Sequence, residues 1–144
     1  MPPILLRELR EKATAARQRR DYHRRQFDQA LADLKVLGAR CPGVRCPRVQ
    51  AAGEALAKTT RGEVHGPFMA FADAIRDHAR ALPENTRGRG VLRLANEAID
   101  HMRALAHHVE REEQALRELQ LFRHLLASAE RDAGLSPRER RMAG

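Results

Sequence analysis

Three groups of residues have types and spacings that can do chemistry. His108 and Glu112 lie four apart, so on a helix they share one face, a spacing that can chelate a metal; Arg20 and His23 fall at matching heights of an earlier helical stretch. Cys41 and Cys46 are spaced C-x4-C, each followed by proline. Arginines gather in two turn-like segments, with Arg40, Arg45 and Arg48 in the first, Arg87 and Arg89 in the second and Arg93 just beyond.

The metal readings are short of ligands. A ferritin-like centre needs repeated Glu-x-x-His pairs plus further carboxylates, and a hemerythrin-like centre needs five ordered histidines; His65, His78, His101, His107 and His124 do not fall that way. Structural zinc needs four ligands, and no second close pair accompanies the cysteines. The expectation is therefore no metal and no cofactor. Arg20, His23, His108 and Glu112 are read as a polar layer that fixes helix register. Cys41 and Cys46 are read as reduced thiols in a loop, with a disulfide or an intermolecular zinc as the alternatives.

The arginines fit anions. A guanidinium fork pairs phosphate through two hydrogen bonds, and the glycines of Arg87-Gly88-Arg89-Gly90 let backbone N–H groups approach an anion at a helix N-terminus. A further basic run, residues 7–25, holds eight cations against three acids; Arg17 and Arg24 are candidates within it. Glu110, Glu112, Glu113 and Glu118 would face part of that run and consume some of its charge. The whole chain carries 27 Lys and Arg against 19 Asp and Glu, a formal +8, and 24 of the cations are arginine. Such an excess attracts nucleic acid, anionic lipid or an acidic protein without encoding which. A GC-rich genome would also raise the Arg-to-Lys ratio, but not the net charge.

The elements that must position these residues are helices. Ala, Leu, Arg and Glu abound in the 144 residues, aromatics make up 3%, and strand formers are few. The periodicity predicts a first long helix from Ile4 to Leu37, closed by Gly38 as a left-handed cap. Its heptad seam holds Leu6, Ala13, Arg20, Phe27 and Leu34 in one row and Leu9, Ala16, His23, Ala30 and Leu37 in the other. Residues 39–48 are a loop. A short helix opens at Pro47 with Val49, Ala52 and Leu56 on one face, and a third places Phe68, Phe71, Ile75 and Leu82 on a stripe ending at Pro83. The longest helix runs from Val91 to Ala133 and closes at Gly134. Its expected seam holds Val91, Ala98, Leu105, Glu112, Leu119 and Leu126, alternating with Ala95, Met102, Val109, Leu116 and Arg123. Ser136 to Glu139 fits a capping box, so residues 135–144 are read as a basic tail or short helix after a single helical domain over 1–134.

The fold expected is all-α: two long antiparallel helices, with two shorter ones completing a partial four-helix bundle. Short connections favour antiparallel neighbours, with Leu37 level with Val91 and facing residue numbers summing to about 128. The two arginine-rich turns then meet at the bundle end. The other end is a coiled-coil-like arm of two helices bearing Ile4, Leu5, Leu6 and Leu9 opposite Leu116, Leu119, Leu121, Phe122, Leu125 and Leu126. Leu5, Leu9, Leu119, Phe122 and Leu126 are its candidate protein-interface residues, because two helices cannot hide so broad an apolar band from water.

No nucleophile elbow, phosphate-binding loop, dinucleotide fingerprint or paired catalytic carboxylates occur, so the chain is expected to be non-catalytic. No 18-residue apolar stretch and no secretory signal occur, which points to the cytoplasm and away from the membrane. The leading expectation is a basic helical subunit of a nucleoprotein or protein assembly that contacts RNA or DNA backbone without reading sequence. In size and basic helical character the chain is similar to the small helical subunits of CRISPR effector complexes. The alternative is a coiled-coil adaptor or inhibitor of an acidic protein with no nucleic-acid role. Homo-oligomerisation or membership of a larger protein complex follows from the arm in either case.

Overall fold

The computed structural model describes residues 3–83 and 88–134, the first two of these in backbone only. Its helices are α1 (Pro3–Arg40), α2 (Pro47–Ala57), α3 (His65–Ala81) and α4 (Arg89–Asp132), and no strand occurs among the described residues. The expected all-α architecture of two long and two short helices is the one found. Arg87, the side chain of Ile4, and the 135–144 segment with its capping box lie outside the described residues. The 1–134 span holds two compact units: residues 26–107 form one, and residues up to 25 together with those from 108 onward form the other. No described helix is long and apolar enough to cross a membrane.

In the 26–107 unit all four helices contribute to one core. Phe27, Leu31, Leu34 and Leu37 of α1 are buried together with Val49 and Leu56 of α2, Phe71 and Ile75 of α3, and Val91, Leu94 and Leu105 of α4. Each large side chain so buried is worth about 1.5–3 kcal/mol, which is why this unit needs no staple. Pro47 opens α2 because its missing N–H falls where no intrahelical partner exists. At the other end, the buried Thr59 hydroxyl donates to the Leu56 carbonyl at 2.8 Å.

Two local expectations are corrected here. Gly38 does not cap α1: the helix continues to Arg40, and Gly38 is a buried position in it. There it meets Gly53 of α2 so closely that a Cβ on Gly38 would lie 2.7 Å from the Gly53 carbonyl oxygen. Gly53 accordingly takes the buried place on α2 that was expected of Ala52, which is half-buried. The left-handed residue that ends α1 is Cys41, at φ +41°. The second correction is to register at this end. Leu37 shares a groove with Glu97 and His101, beyond the Val91 expected at its level, and Gly43 of the connecting loop rests on Gly90.

In the other unit the described helices are α1 and α4, running antiparallel, as the cross-helix pairs Arg10–Glu130, Arg19–Glu118 and His23–His108 require. Those pairs sum to between 131 and 140, above the expected 128. The α1 seam follows the heptad: Leu6 and Ala16 are buried, and Leu9, Ala13, Arg20 and His23 are half-buried. The α4 seam is half as expected. Leu119 is buried and Glu112 and Leu126 are half-buried; in the alternating row Val109 is half-buried beside an equally half-buried His108, but the row continues through Ala115, Phe122 and Ala129 rather than Leu116 and Arg123. Ala115 and Ala129 are 3% and 1% exposed, whereas Leu116 is 37% exposed and Arg123 lies outside the seam. Small side chains let two helices approach, while Leu116 supplied the stronger apolar signal one position away. Gly134, at φ +73°, follows the last turn of α4 as expected, its N–H donating to the Arg131 carbonyl.

Candidate nucleic-acid interface

The end of α1, the 41–46 loop and the start of α4 converge in the 26–107 unit. Their closeness depends on Gly43 and Gly90. Gly43 adopts φ +79°, a conformation that side chains rarely tolerate, and a Cβ on Gly90 would lie 2.5 Å from the Gly43 carbonyl oxygen. The loop therefore lies backbone against backbone on the first turn of α4, a turn with no acidic residue. An anion there would meet the positive end of the helix dipole.

Arg40 and Arg45 line one open cleft of about 610 Å³ with Pro42, Gly43, Val44 and Gln50. Arg89 stands at the start of α4. All three arginines are exposed, and among the described residues none has an ion pair or side-chain hydrogen bond. Arg40 also borders a groove containing Asp33 and Glu97, so acids lie near it without pairing. The other two described members are partly occupied. Arg48 donates to Asp77 at 2.7 Å, and Arg93 lies 3.5 Å from Glu97.

Cys41 holds the loop from beneath. Its N–H donates to the Leu37 carbonyl at 2.8 Å and its thiol to the Gly38 carbonyl at 3.1 Å. A non-glycine residue in the left-handed region carries backbone strain, offset here by the packing and hydrogen bond of its side chain. Burial pushes the thiol above its ordinary pKa, with a smaller contribution from the Glu54 carboxylate. Cys41 and Cys46 are both free, and among the described residues no three His, Cys, Asp or Glu side chains converge as metal ligands would.

The basic run on α1 is partly neutralised. Arg19 pairs with Glu118 of α4 at 2.6 Å, Arg7 with Glu11 at 3.2 Å and Arg20 with Asp21 at 2.9 Å. Arg17 and Arg24 remain exposed without an ion pair among the described residues. Of the expected polar layer, His23 Nδ1 and His108 Nδ1 are 3.0 Å apart, an imidazole–imidazole hydrogen bond in a half-buried seam with Glu112 one turn along, while Arg20 donates to its neighbour Asp21 on the same helix.

The expected interface band divides. Leu5 is exposed, Leu9, Phe122 and Leu126 are half-buried, and Leu119 is 1% exposed. Leu119 thus belongs to the seam, because Ala115 and Ala129 bring α1 close over it. Lys12 Nζ lies 6.0 Å from the Phe122 ring centroid, covering part of its face. The leucines left open on the part of α4 beyond residue 108 are Leu116, Leu121 and Leu125.

No family model, curated protein or solved structure matches this chain. Two features were missed from sequence. One is Arg61, whose guanidinium lies 4.4 Å from the Phe27 ring centroid while pairing with Asp28. The other is the placement of Arg123. Assigning it to the α4 seam hid it, whereas the alanine row sets it on the flank beside Arg10 and Arg17.

Proposed function

We propose that this chain is a non-catalytic, basic helical subunit that binds the phosphate backbone of nucleic acid without reading base sequence. The observation that carries the reading is the contact of Gly43 with Gly90, which sets Arg40, Arg45 and Arg89, none of them ion-paired among the described residues, around the start of one helix. Arginine forks suit phosphate oxygens, and a chain of net charge +8 draws a polyanion from a distance. Base reading has no support, since Tyr22 is the single tyrosine, tryptophan is absent and no stacking platform follows.

The test is charge reversal. R40E/R45E/R89E should weaken binding of a labelled single-stranded oligonucleotide and reduce its salt slope by about 2, since each phosphate contact on a single strand contributes about 0.7. Equal affinity and slope in the wild type and the triple variant would refute the assignment.

The second reading, a helical adaptor for an acidic protein, is favoured by the exposed Leu116, Leu121 and Leu125 on α4. L121E/L125E should release a bound polypeptide or lower the oligomeric mass in light scattering, with oligonucleotide binding changed little. An unchanged mass and no lost partner would remove that reading.

A further inference from the structure

The unit built from the outer parts of α1 and α4 holds a basic cleft that the charge count alone did not disclose. Arg10, Thr14 and Arg17 stand on successive turns of α1, and Arg123 stands on α4 between Leu119 and Leu126. With Ala13 these residues line a cleft of about 110 Å³. Its apolar part is Ala13, Leu119 and Leu126, and its polar part is three guanidinium groups and a hydroxyl.

One arginine is anchored from behind. Arg10 Nη2 lies 3.6 Å from Glu130 Oε1, and the Glu130 side chain is 5% exposed. The pair is loose, because Arg10 Nε and that same carboxylate oxygen are both buried and have no hydrogen-bond partner among the described residues. Arg17 and Arg123 have no ion pair among the described residues. Three cations against one carboxylate leave the cleft with a local charge of +2.

Arg17 and Arg123, like-charged residues on facing helices, line one cleft with an apolar part, and an anion between them would offset their repulsion. The cleft is well below the roughly 300–1,000 Å³ of sites that enclose a whole small molecule, so it suits a single group. A phosphate monoester carries about −1.5 to −2 and several strong acceptor oxygens, matching both the charge and the donors. A backbone diester, with one negative charge, would leave the cleft cationic.

We infer that Arg10, Arg17, Arg123 and Thr14 form a binding site for a phosphate monoester. The end of a nucleic-acid strand and a free phosphate share that chemistry, and assigning the strand end as source rests on the function proposed above.

Two probes distinguish the sources: a 3′-labelled single-stranded RNA with a 5′-phosphate, and the same RNA with a 5′-hydroxyl. The wild type should prefer the phosphorylated probe about tenfold, the effect of one added charge-assisted contact. R17Q/R123Q should remove that preference while still binding the hydroxyl probe, and R40Q/R45Q should weaken both probes and keep it. If the wild type shows no preference, calorimetry with inorganic phosphate decides. Saturable binding lost in R17Q/R123Q supports the site with free phosphate as its source. No phosphate binding, or a preference that survives R17Q/R123Q, overturns it. The backbone reading fails separately, if the hydroxyl probe shows no salt-sensitive binding. Coincident circular dichroism melts would show that R17Q/R123Q remains folded.

Discussion

Replacing Gly53 by alanine is the sharpest test of how α1 and α2 meet. A Cβ at Gly53 would overlap the Gly38 carbonyl oxygen and lie 2.9 Å from both the Gly38 carbonyl carbon and Cys41 Sγ. Two of those atoms are backbone and cannot rotate away, so the helices must part by about 1 Å, enough to forfeit a quarter to a half of the dispersion attraction across the contact. Overpacking of this kind costs about 3 kcal/mol at the upper end of its usual range. Against it, alanine in a helix interior gains about 1 kcal/mol over glycine. The net expectation is a loss of about 2 kcal/mol, or a fall in Tm of about 8 °C for a chain of this length. Gly66→Ala in the first turn of α3 is the control, because nothing lies within 4 Å of its Cβ. Melts followed by far-ultraviolet circular dichroism give both numbers. A G53A protein that melts at or above the wild type would refute the close crossing.

Other predictions follow from the same contacts. Cys46 is half-buried and should react with a thiol reagent in the native protein, whereas Cys41 should be protected until the 26–107 unit opens; equal rates would contradict its burial. Because the folded Cys41 pKa is raised above its unfolded value, the stability that its neutral thiol contributes is fully present below the ordinary value of 9.0 and is lost as pH rises through the folded pKa. C41A should flatten that alkaline loss in a pH series of denaturant melts; an unchanged alkaline limb would place its cause elsewhere. A double-mutant cycle on His23→Leu and His108→Leu should give a coupling of about 0.5–1.5 kcal/mol for the imidazole pair, and additivity would mean that the two rings do not bond.

Much of this fold is legible from the pattern of large side chains. Along α1, Leu6, Phe27, Leu34 and Leu37 mark the heptad rows plainly, and the structure buries all four. What misled was small or absent side chains. Ala115 and Ala129 carry little hydrophobic signal, so Leu116 drew the second α4 row one position off and took Arg123 with it into the seam. Glycine was misread at Gly38 for a related reason: a missing side chain looks like a helix stop, and only a facing Gly53 reveals it as a crossing point. The approach of the 41–46 loop to the start of α4, where Gly43 meets Gly90, was legible because connection lengths left few alternatives. The pairing of Arg48 with Asp77 was not, since it depends on side-chain placement between α2 and α3.

The proposal that the chain grips phosphate backbone is tested most directly by the salt dependence of binding to single strands of unrelated sequence. With about six phosphate contacts, the logarithm of the association constant should fall with the logarithm of salt at a slope near −4. Affinity would then drop several-hundred-fold between about 50 and about 200 mM salt, equally for poly(U) and for a mixed sequence. No binding at the lower salt, or a slope near zero, would contradict the account.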